Sequence, residues 1–249
     1  MRKYCFLTLL VLLLLYPVRS SAAGLLEKDM AAFDKAYIPA LALTSQGDKA
    51  AAQKAVEIML EQWAGFKKIH SAAFNDNPAD NADFATIDRL LAEAARTVQR
   101  DGKLDDAHEI LEGVRITFLA FRERKAIDYY LDYTTRFHES MEAIVLTVKG
   151  QTPDTLTEAM VSKIKTLLKI AQKDWKSLQT AAFDPDLFSF SAEQDSRRQY
   201  YINAETEQMN RLQKALEQND RGKIIEAARG IKPNFVNLFL LFGDFARLK

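Results

Sequence analysis

The chain of 249 residues contains a single cysteine, Cys5, which lies inside the apolar N-terminal run. Without further cysteines, the rest of the chain cannot form disulfides, use a thiolate nucleophile, ligate an iron-sulfur cluster or attach a c-type haem covalently. Histidine is also scarce, with three residues, which limits metal and acid-base sites. The stability of the fold must therefore come from an apolar core.

Neither sign of charge predominates, since 34 basic residues face 34 acidic ones. The charges are mixed along the chain, without a basic stripe that would bind nucleic acid and without an acidic tail. No Ser-His-Asp arrangement, nucleotide-binding loop or paired-carboxylate motif stands out either. We therefore expect neither a nucleic-acid partner nor an enzyme, and the sequence requires no cofactor.

The N-terminal residues have the layout of a secretory signal peptide. Arg2 and Lys3 precede an apolar run over residues 4–16, which is short for a membrane span of ~20 residues. Small residues suit cleavage after Ala23, and cleavage one residue earlier is equally defensible. We predict a signal peptide over 1–23, a periplasmic or secreted location, and no membrane span after cleavage. No cysteine stands at this site to carry a lipid anchor.

Apolar residues recur at steps of three and four almost throughout the chain, and no long stretch alternates as a strand would. Clusters of turn-forming residues separate the periodic segments. The pattern predicts an all-α fold of eight helices. Because the helices are joined by short loops, sequence neighbours should pack as antiparallel neighbours, as in four-helix bundles.

Two apolar seams of the same spacing indicate that the sequence contains an internal repeat. The first seam comprises Leu111, Val114, Phe118 and Phe121, and the second, 117 positions later, Ala228, Ile231, Phe235 and Leu238. The related segments AAFNDNP and AAFDPDL also follow Trp63 and Trp175, respectively. We predict an internal duplication that gives two antiparallel four-helix bundles, over residues 24–126 and 127–249.

The junction between the copies allows two interpretations. No proline and only one glycine interrupts residues 103–149, so one continuous helix is conceivable. However, the apolar phase shifts by one residue beyond the charged run 122–125, and Asp128 could cap a new helix. The phase shift favours a break near residues 125–128.

Two of the three histidines precede a glutamate by four residues, which places each pair on one helix face. If the helices around the junction form a hairpin, several of these groups lie level with one another. The expected polar cluster comprises Glu112, Arg115, His138 and Glu142, with Glu139 level with Arg115, whereas His108 is expected further along its helix. In the other copy, His108 and Glu112 correspond to Ile225 and Arg229, so the repeated scaffold does not demand them.

These residues leave a metal site as an alternative. His138 with Glu142, Glu112 or His108 could ligate a divalent ion, although the two histidines would stand ~12 Å apart in height. Non-covalent haem is disfavoured, because Met30 and His108 are expected near opposite ends of a bundle and Met141 shares a helix with His138. The ordinary interpretation is a set of ion pairs on a solvated helix face.

The last predicted helix carries more apolar surface than one face requires, over residues 238–242. Either this segment is buried between the bundles, or Phe239, Leu241 and Phe242 form an interface for a partner protein or a second copy. We therefore expect an exported, soluble, non-enzymatic helical-bundle protein that binds a partner or a small ligand near the junction of its bundles. The alternative is a periplasmic metal-binding protein.

Overall fold

The computed structural model describes residues 21–75, 77–100 and 103–248, and these residues form helices without any strand. The helices are α1 (Ser21–Thr44), α2 (Lys49–His70), α3 (Pro78–Gln99), α4 (Leu104–Arg124), α5 (Tyr130–Val148), α6 (Glu158–Thr180), α7 (Pro185–Phe188), α8 (Ala192–Glu217) and α9 (Arg221–Leu240). Short 3₁₀ turns follow at Ser71–Phe74 and Phe245–Leu248. The all-α prediction is confirmed. Eight helices are long, which is the predicted number, and α7 is an additional helix of four residues.

The predicted signal peptide falls mainly on residues 1–20, which lie outside the described part of the chain. Helix α1 begins at Ser21, and Pro39 lies within it. No helix among the described residues is both long enough and apolar enough to span a membrane. Cleavage and location therefore stay predictions.

Side-chain caps explain where several helices begin. Asp48, Asn77 and Thr157 each accept a hydrogen bond from a backbone N–H of the first turn of α2, α3 and α6. Ser191 does the same for α8 and forms a capping box with Gln194. Such bonds satisfy N–H groups that have no partner inside the helix. The turn residues of the sequence thus determine the helix boundaries.

The long helices pack as two groups of four. In the first ring, α1 packs on α2, α2 on α3, α3 on α4, and α4 returns to α1. In the second ring, α5 packs on α6, α6 on α8, α8 on α9, and α9 returns to α5. The rings meet where α1 contacts α7 and α9, and where α4 contacts α5.

The break at the junction is confirmed, because α4 ends at Arg124 and α5 begins at Tyr130. Ala126 takes a left-handed backbone conformation in this turn, with φ of 52°. The expected capping role of Asp128 is wrong. Tyr129 holds the cap position without a side-chain bond, and Asp128 instead accepts a hydrogen bond from the Tyr133 hydroxyl at 2.9 Å.

Each ring contains a tryptophan that bonds to the next long helix. Trp63 on α2 donates from its indole N–H to Asp88 on α3 at 2.9 Å. Trp175 on α6 donates in the same way to Thr206 on α8 at 3.0 Å. Both indole side chains are buried, so each one satisfies its polar group at the edge of an apolar core.

The aromatic cores of the two rings also correspond in geometry. The ring centroids of Phe33 and Phe118 lie 5.6 Å apart with an interplanar angle of 47°. Those of Phe137 and Phe235 lie 5.6 Å apart at 48°. In each case the first phenylalanine lies on the first helix of its ring and the second on the last helix.

A glycine in the last helix of each ring allows a side chain to approach closely. A Cβ atom at Gly113 would lie 3.1 Å from Leu90 Cδ1, and one at Gly230 would overlap the side-chain amide of Gln208. Gln208 crosses this point to donate a hydrogen bond to the Ala227 carbonyl at 2.8 Å. The absence of a side chain at position 230 therefore makes room for this contact.

The strongly apolar segment at the end of α9 is covered by the chain itself. Phe239, Leu241 and Phe242 are buried, and Phe242 stacks on Tyr130 of α5. Of the two alternatives, burial between the rings is thus the one that the structure adopts. These side chains offer little exposed area to a second copy.

Candidate functional site

A cleft of about 860 Å³ opens between α4 and α5 at the junction of the two rings. Most of its lining comes from these two helices, while Asp174 of α6 and Lys232 of α9 complete it. The volume falls within the ~300 to 1,000 Å³ that small-molecule sites occupy.

The cleft gathers all the polar residues that the sequence singled out. Its lining includes His108, Glu112, Arg115, His138, Glu139 and Glu142. His70, the third histidine, lies elsewhere and donates from Nε2 to Asp29 of α1 at 2.6 Å. The structure therefore places the two histidine-glutamate pairs on the walls of one cavity.

Arg115 connects the two walls of the cleft. Its guanidinium forms an ion pair with Glu112 one turn earlier on α4 and donates a hydrogen bond to Nδ1 of His138 on α5. Arginine has no acceptor atom, so Nδ1 of His138 must accept. A neutral imidazole that accepts at Nδ1 carries its proton on Nε2.

His138 is held in this neutral form by its surroundings. Burial, followed by the charges of Arg115 and Lys232, lowers the pKa of His138 to about 2. Its imidazole therefore carries no charge near neutral pH. His138 also lines the cleft, and its ring centroid lies 5.4 Å from that of Phe235 on α9.

His108 has the opposite arrangement. Its Nδ1 donates to the Leu41 carbonyl at 2.9 Å, so Nδ1 carries a proton. Its Nε2 lies 3.6 Å from a carboxylate oxygen of Glu112. Burial raises the pKa of Glu112, while the charges of Arg115 and His108 oppose that effect.

The expected polar cluster is divided in two. Glu112, Arg115 and His138 form one connected set. Glu142 instead pairs with Lys232 of α9 at 2.9 Å, and both side chains are partly exposed. The hairpin geometry could not reveal this partner, because α9 lies 90 residues further along the chain.

Apolar side chains also line the cleft. Ile116 on α4 is 58% exposed and Leu146 on α5 is 55% exposed, and both line the cleft with Leu119 and Ala143. These side chains add apolar surface to the polar lining of the cleft.

The donor set does not fit a divalent metal ion. Within the described ranges, no three His, Asp or Glu side chains come together closely enough to hold one. At His138, Nδ1 faces an arginine and Nε2 carries the proton, so neither nitrogen presents a lone pair to a metal. Haem finds no support either, since the Met30 sulfur lies 4.0 Å from the Arg122 guanidinium inside the first ring.

The buried charges beside the junction do not follow from the sequence pattern. Arg122 of α4 pairs with Asp132 of α5. Asp34 of α1 accepts a hydrogen bond from the Tyr129 hydroxyl at 2.6 Å, and burial raises the pKa of Asp34 to about 6. The one sequence signal for the burial of Arg122 is its position directly after Phe121, a residue of the apolar seam.

Glu205 of α8 is a second buried group that no sequence pattern singles out. Its side chain lies in the second ring at 0% exposure, and neither carboxyl oxygen meets hydrogen-bond geometry with a described residue. Burial raises the pKa of Glu205 to about 9, and the Asn234 amide offsets only part of that rise. Glu205 is therefore protonated at neutral pH.

A scan against protein-family models matches none, and searches of curated proteins and of solved structures return no match either.

Proposed function

We propose that the protein is an exported, non-enzymatic binding protein that takes a small ligand into the cleft between α4 and α5. The observation that carries the proposal is the cleft itself, whose lining combines the paired polar groups of Glu112, Arg115 and His138 with the exposed aliphatic side chains Ile116 and Leu146. A binding function also agrees with the state of His138, because an imidazole with so low a pKa is a poor general acid or base near neutral pH.

The scaffold that we propose is a duplicated pair of four-helix bundles, over residues 24–126 and 127–249. The corresponding tryptophan bonds, phenylalanine pairs and glycine contacts of the two rings support a common origin. The polar groups of the cleft differ between the copies, which is expected if one site arose where two similar bundles meet. The predicted signal peptide over 1–23 would deliver the protein to the periplasm or the exterior.

A small ligand is favoured over a protein partner for a specific reason. The apolar residues that suggested a partner surface, Phe239, Leu241 and Phe242, are buried within the chain. The exposed aliphatic residues Ile116 and Leu146 instead line the walls of the cleft. A cleft of this size fits a small molecule better than it fits the flat surface of a protein partner.

Equilibrium dialysis against a fractionated small-molecule extract, read by mass spectrometry, tests this function. The wild-type protein should enrich at least one compound. Leu146→Trp should reduce the enrichment, because the larger side chain obstructs part of the cleft. Ile170→Trp is the matched control, since Ile170 is 47% exposed on α6 and does not line the cleft. Equal enrichment by all three proteins, or none by the wild type, would refute the proposal.

A further inference from the structure

A second cavity, of about 470 Å³, opens between α8 and α9 in the second ring. It shares no lining residue with the cleft between α4 and α5. Its lining recurs at steps of three and four along each helix, as in Gln208, Arg211 and Ala215 of α8 and Lys223, Ala227 and Gly230 of α9. One face of each helix therefore forms one side of this groove, and its volume falls within the ~300 to 1,000 Å³ of small-molecule sites.

The buried part of the groove is lined by small residues and by one fixed amide. Ala215 and Ala227 are buried, and Gly230 has no side chain. Gln208 lies across Gly230 and donates an amide N–H to the Ala227 carbonyl at 2.8 Å. The small residues thus leave the space that the groove occupies, and the Gln208 amide is held in one orientation beside it.

The charged residues of the groove are mostly basic. Arg211, Lys214 and Lys223 line it together with one acidic residue, Glu226. Arg211 and Lys214 form no ion pair with any residue that the structure describes. Lys223 pairs with Asp220 at 3.1 Å, but the two side chains are 64% and 38% exposed, so the pair is weak. The groove therefore keeps a net positive charge that the chain itself does not neutralise.

Contacts that the two rings share identify the matching positions of the first ring. Asp88 of α3 and Thr206 of α8 accept the two tryptophan bonds, and they lie 118 positions apart. Leu90 and Gln208, which approach the glycines of α4 and α9, are also 118 positions apart. The two glycines lie 117 positions apart. Helix α3 thus matches α8 at an offset of 118, and α4 matches α9 at an offset of 117.

The first ring carries the opposite charge at these matching positions. Arg211, Lys214, Lys223 and Glu226 are matched by Glu93, Arg96, Asp106 and Glu109, in this order. Three basic residues and one acidic residue in the second ring thus become one basic and three acidic residues in the first. In addition, Ile110 takes the place of the buried Ala227. The scaffold therefore requires neither the basic residues nor the space between α8 and α9.

We propose that the groove between α8 and α9 is a second binding site, which takes a small hydrophilic phosphate ester such as a sugar phosphate. Arg211 and Lys214 lie one turn apart on α8, and Lys223 lies near their height on α9 because only residues 218–220 connect the helices. A phosphate dianion can accept hydrogen bonds from several such cations, and an arginine matches its geometry. This site is separate from the cleft of the proposed function, and neither depends on the other.

The remaining lining indicates a hydrophilic body for this ligand. The apolar side chains of the groove are those of Ala215 and Ala227, so an acyl chain or aromatic ring would find little surface to cover. Glu226 forms no ion pair with a described residue and accepts from the hydroxyl groups of the ligand, and the Gln208 amide adds a further polar contact.

Glucose-6-phosphate and glucose share one body and isolate the role of the phosphate. Isothermal titration calorimetry at low ionic strength should show the wild-type protein binding the phosphate more tightly than glucose. Arg211→Glu introduces the residue type of the first ring and should weaken this binding by about 10-fold, because it removes one attraction and adds one repulsion. Arg197→Glu is the matched control, since Arg197 is exposed on the same helix and does not line the groove.

A second variant removes a charge without reversing it. Lys214 is exposed, so Lys214→Gln leaves the core intact and should weaken binding of the phosphate by about 3-fold. Arg197→Glu should change it by less than about 2-fold, since salt and distance screen a charge outside the groove. Circular dichroism and thermal melting establish that each variant is folded.

The remaining outcomes separate this site from the cleft between α4 and α5. Leu146→Trp should leave binding of glucose-6-phosphate unchanged. If Leu146→Trp weakens it and Arg211→Glu does not, the compound binds in the cleft and the second site is wrong, while the proposed function gains support. Equal losses in Arg211→Glu and Arg197→Glu, or no preference of the wild type for the phosphate over glucose, would also overturn the second site.

Discussion

Arg122 and Asp132 form a doubly hydrogen-bonded ion pair across the turn between α4 and α5. The Arg122 Nε lies 3.0 and 2.9 Å from the two carboxylate oxygens, and each side chain is only 4% exposed. The guanidinium also lies over the Tyr129 ring, at 4.5 Å from its centroid. This pair stands where the two rings meet, so it ties the orientation of one helix to the other.

Asp132→Ala should lower the free energy of unfolding by about 3 to 5 kcal/mol, because it leaves a buried guanidinium without its counter-charge. Urea unfolding followed by circular dichroism measures the change. The control is Glu93→Ala, which breaks the exposed pair of Arg89 and Glu93 and should cost less than about 1 kcal/mol. A loss at Asp132 as small as that at Glu93 would contradict the prediction.

The double variant Arg122→Met with Asp132→Leu tests the cause of that loss. Replacing a buried ion pair by apolar residues of similar volume is often neutral or stabilising. We expect the double variant to recover most of the stability lost in Asp132→Ala. A double variant that is as unstable as the single one would mean that the packing around the pair matters more than its charge.

Glu205 should make the stability of the protein depend on pH. The pKa of this carboxyl is raised from 4.5 to about 9 on folding, so between these values the folded chain holds a proton that the unfolded chain has released. Stability must then fall as pH rises through this window, by at most about 1.4 kcal/mol per pH unit, and level off above it.

Glu205→Gln isolates this contribution, because glutamine has a similar shape and does not titrate. Urea unfolding at pH 5, 6.5 and 8 should show the variant gaining stability relative to the wild type at each step. Glu207→Gln is the matched control, since Glu207 lies exposed on the same helix. A constant difference between wild type and Glu205→Gln over this range would show that Glu205 is ionised in the folded protein.

The close contact between Gly230 and the Gln208 side chain predicts that substitutions at these two positions have coupled effects on stability. Gly65→Ala on α2 meets no atom within 4 Å and should stabilise by about 0.5 to 1 kcal/mol through helix propensity. Gly230→Ala should gain less, because its Cβ displaces Gln208 and breaks the bond to Ala227 at a cost of about 1 kcal/mol. In a Gln208→Ala background, Gly230→Ala should recover the full gain, as thermal unfolding can measure. Equal gains at both glycines in the wild-type background would contradict the contact.

The helices and the break at the junction could be predicted because each depends on local spacing. The spacing of apolar residues predicts which face of each helix is buried. The shift of this spacing by one residue after Phe121 predicts that a new helix begins there. The contact that Asp128 makes in place of the expected cap could not be predicted in this way, because its partner is the Tyr133 hydroxyl within α5. Local propensity does not include that contact.

The contents of the cleft were predictable and its internal pairing was not. Glu112, Arg115 and His138 follow from helical spacing and a hairpin at the junction, whereas the same geometry argued against His108 and His138 sharing one site, and both line the cleft. The partner of Glu142 comes from α9, and the buried state of Glu205 depends on how the second ring closes. Both depend on contacts distant in sequence, which periodicity cannot supply.

His138 provides the most direct test of the cleft, because two observable properties follow from one contact. Since Arg115 donates to Nδ1, the proton should reside on Nε2, and the imidazole should not titrate between pH 4 and 8. ¹⁵N-histidine NMR reads both properties. In its neutral form, His108 should show the opposite tautomer, with the proton on Nδ1, and so serves as an internal control.

The lowered pKa of His138 should also make the folded protein less stable in acid. The pKa of His138 is lowered from 6.5 to about 2 on folding, so below pH 6.5 the unfolded chain binds a proton that the folded chain does not. Stability should therefore fall as pH drops through this window, by at most about 1.4 kcal/mol per unit. His138→Gln should lack this component, so its stability relative to the wild type should rise between pH 6.5 and 5. An NMR titration of His138 with a midpoint near 6, together with a parallel stability profile, would show that Arg115 does not hold the imidazole as described.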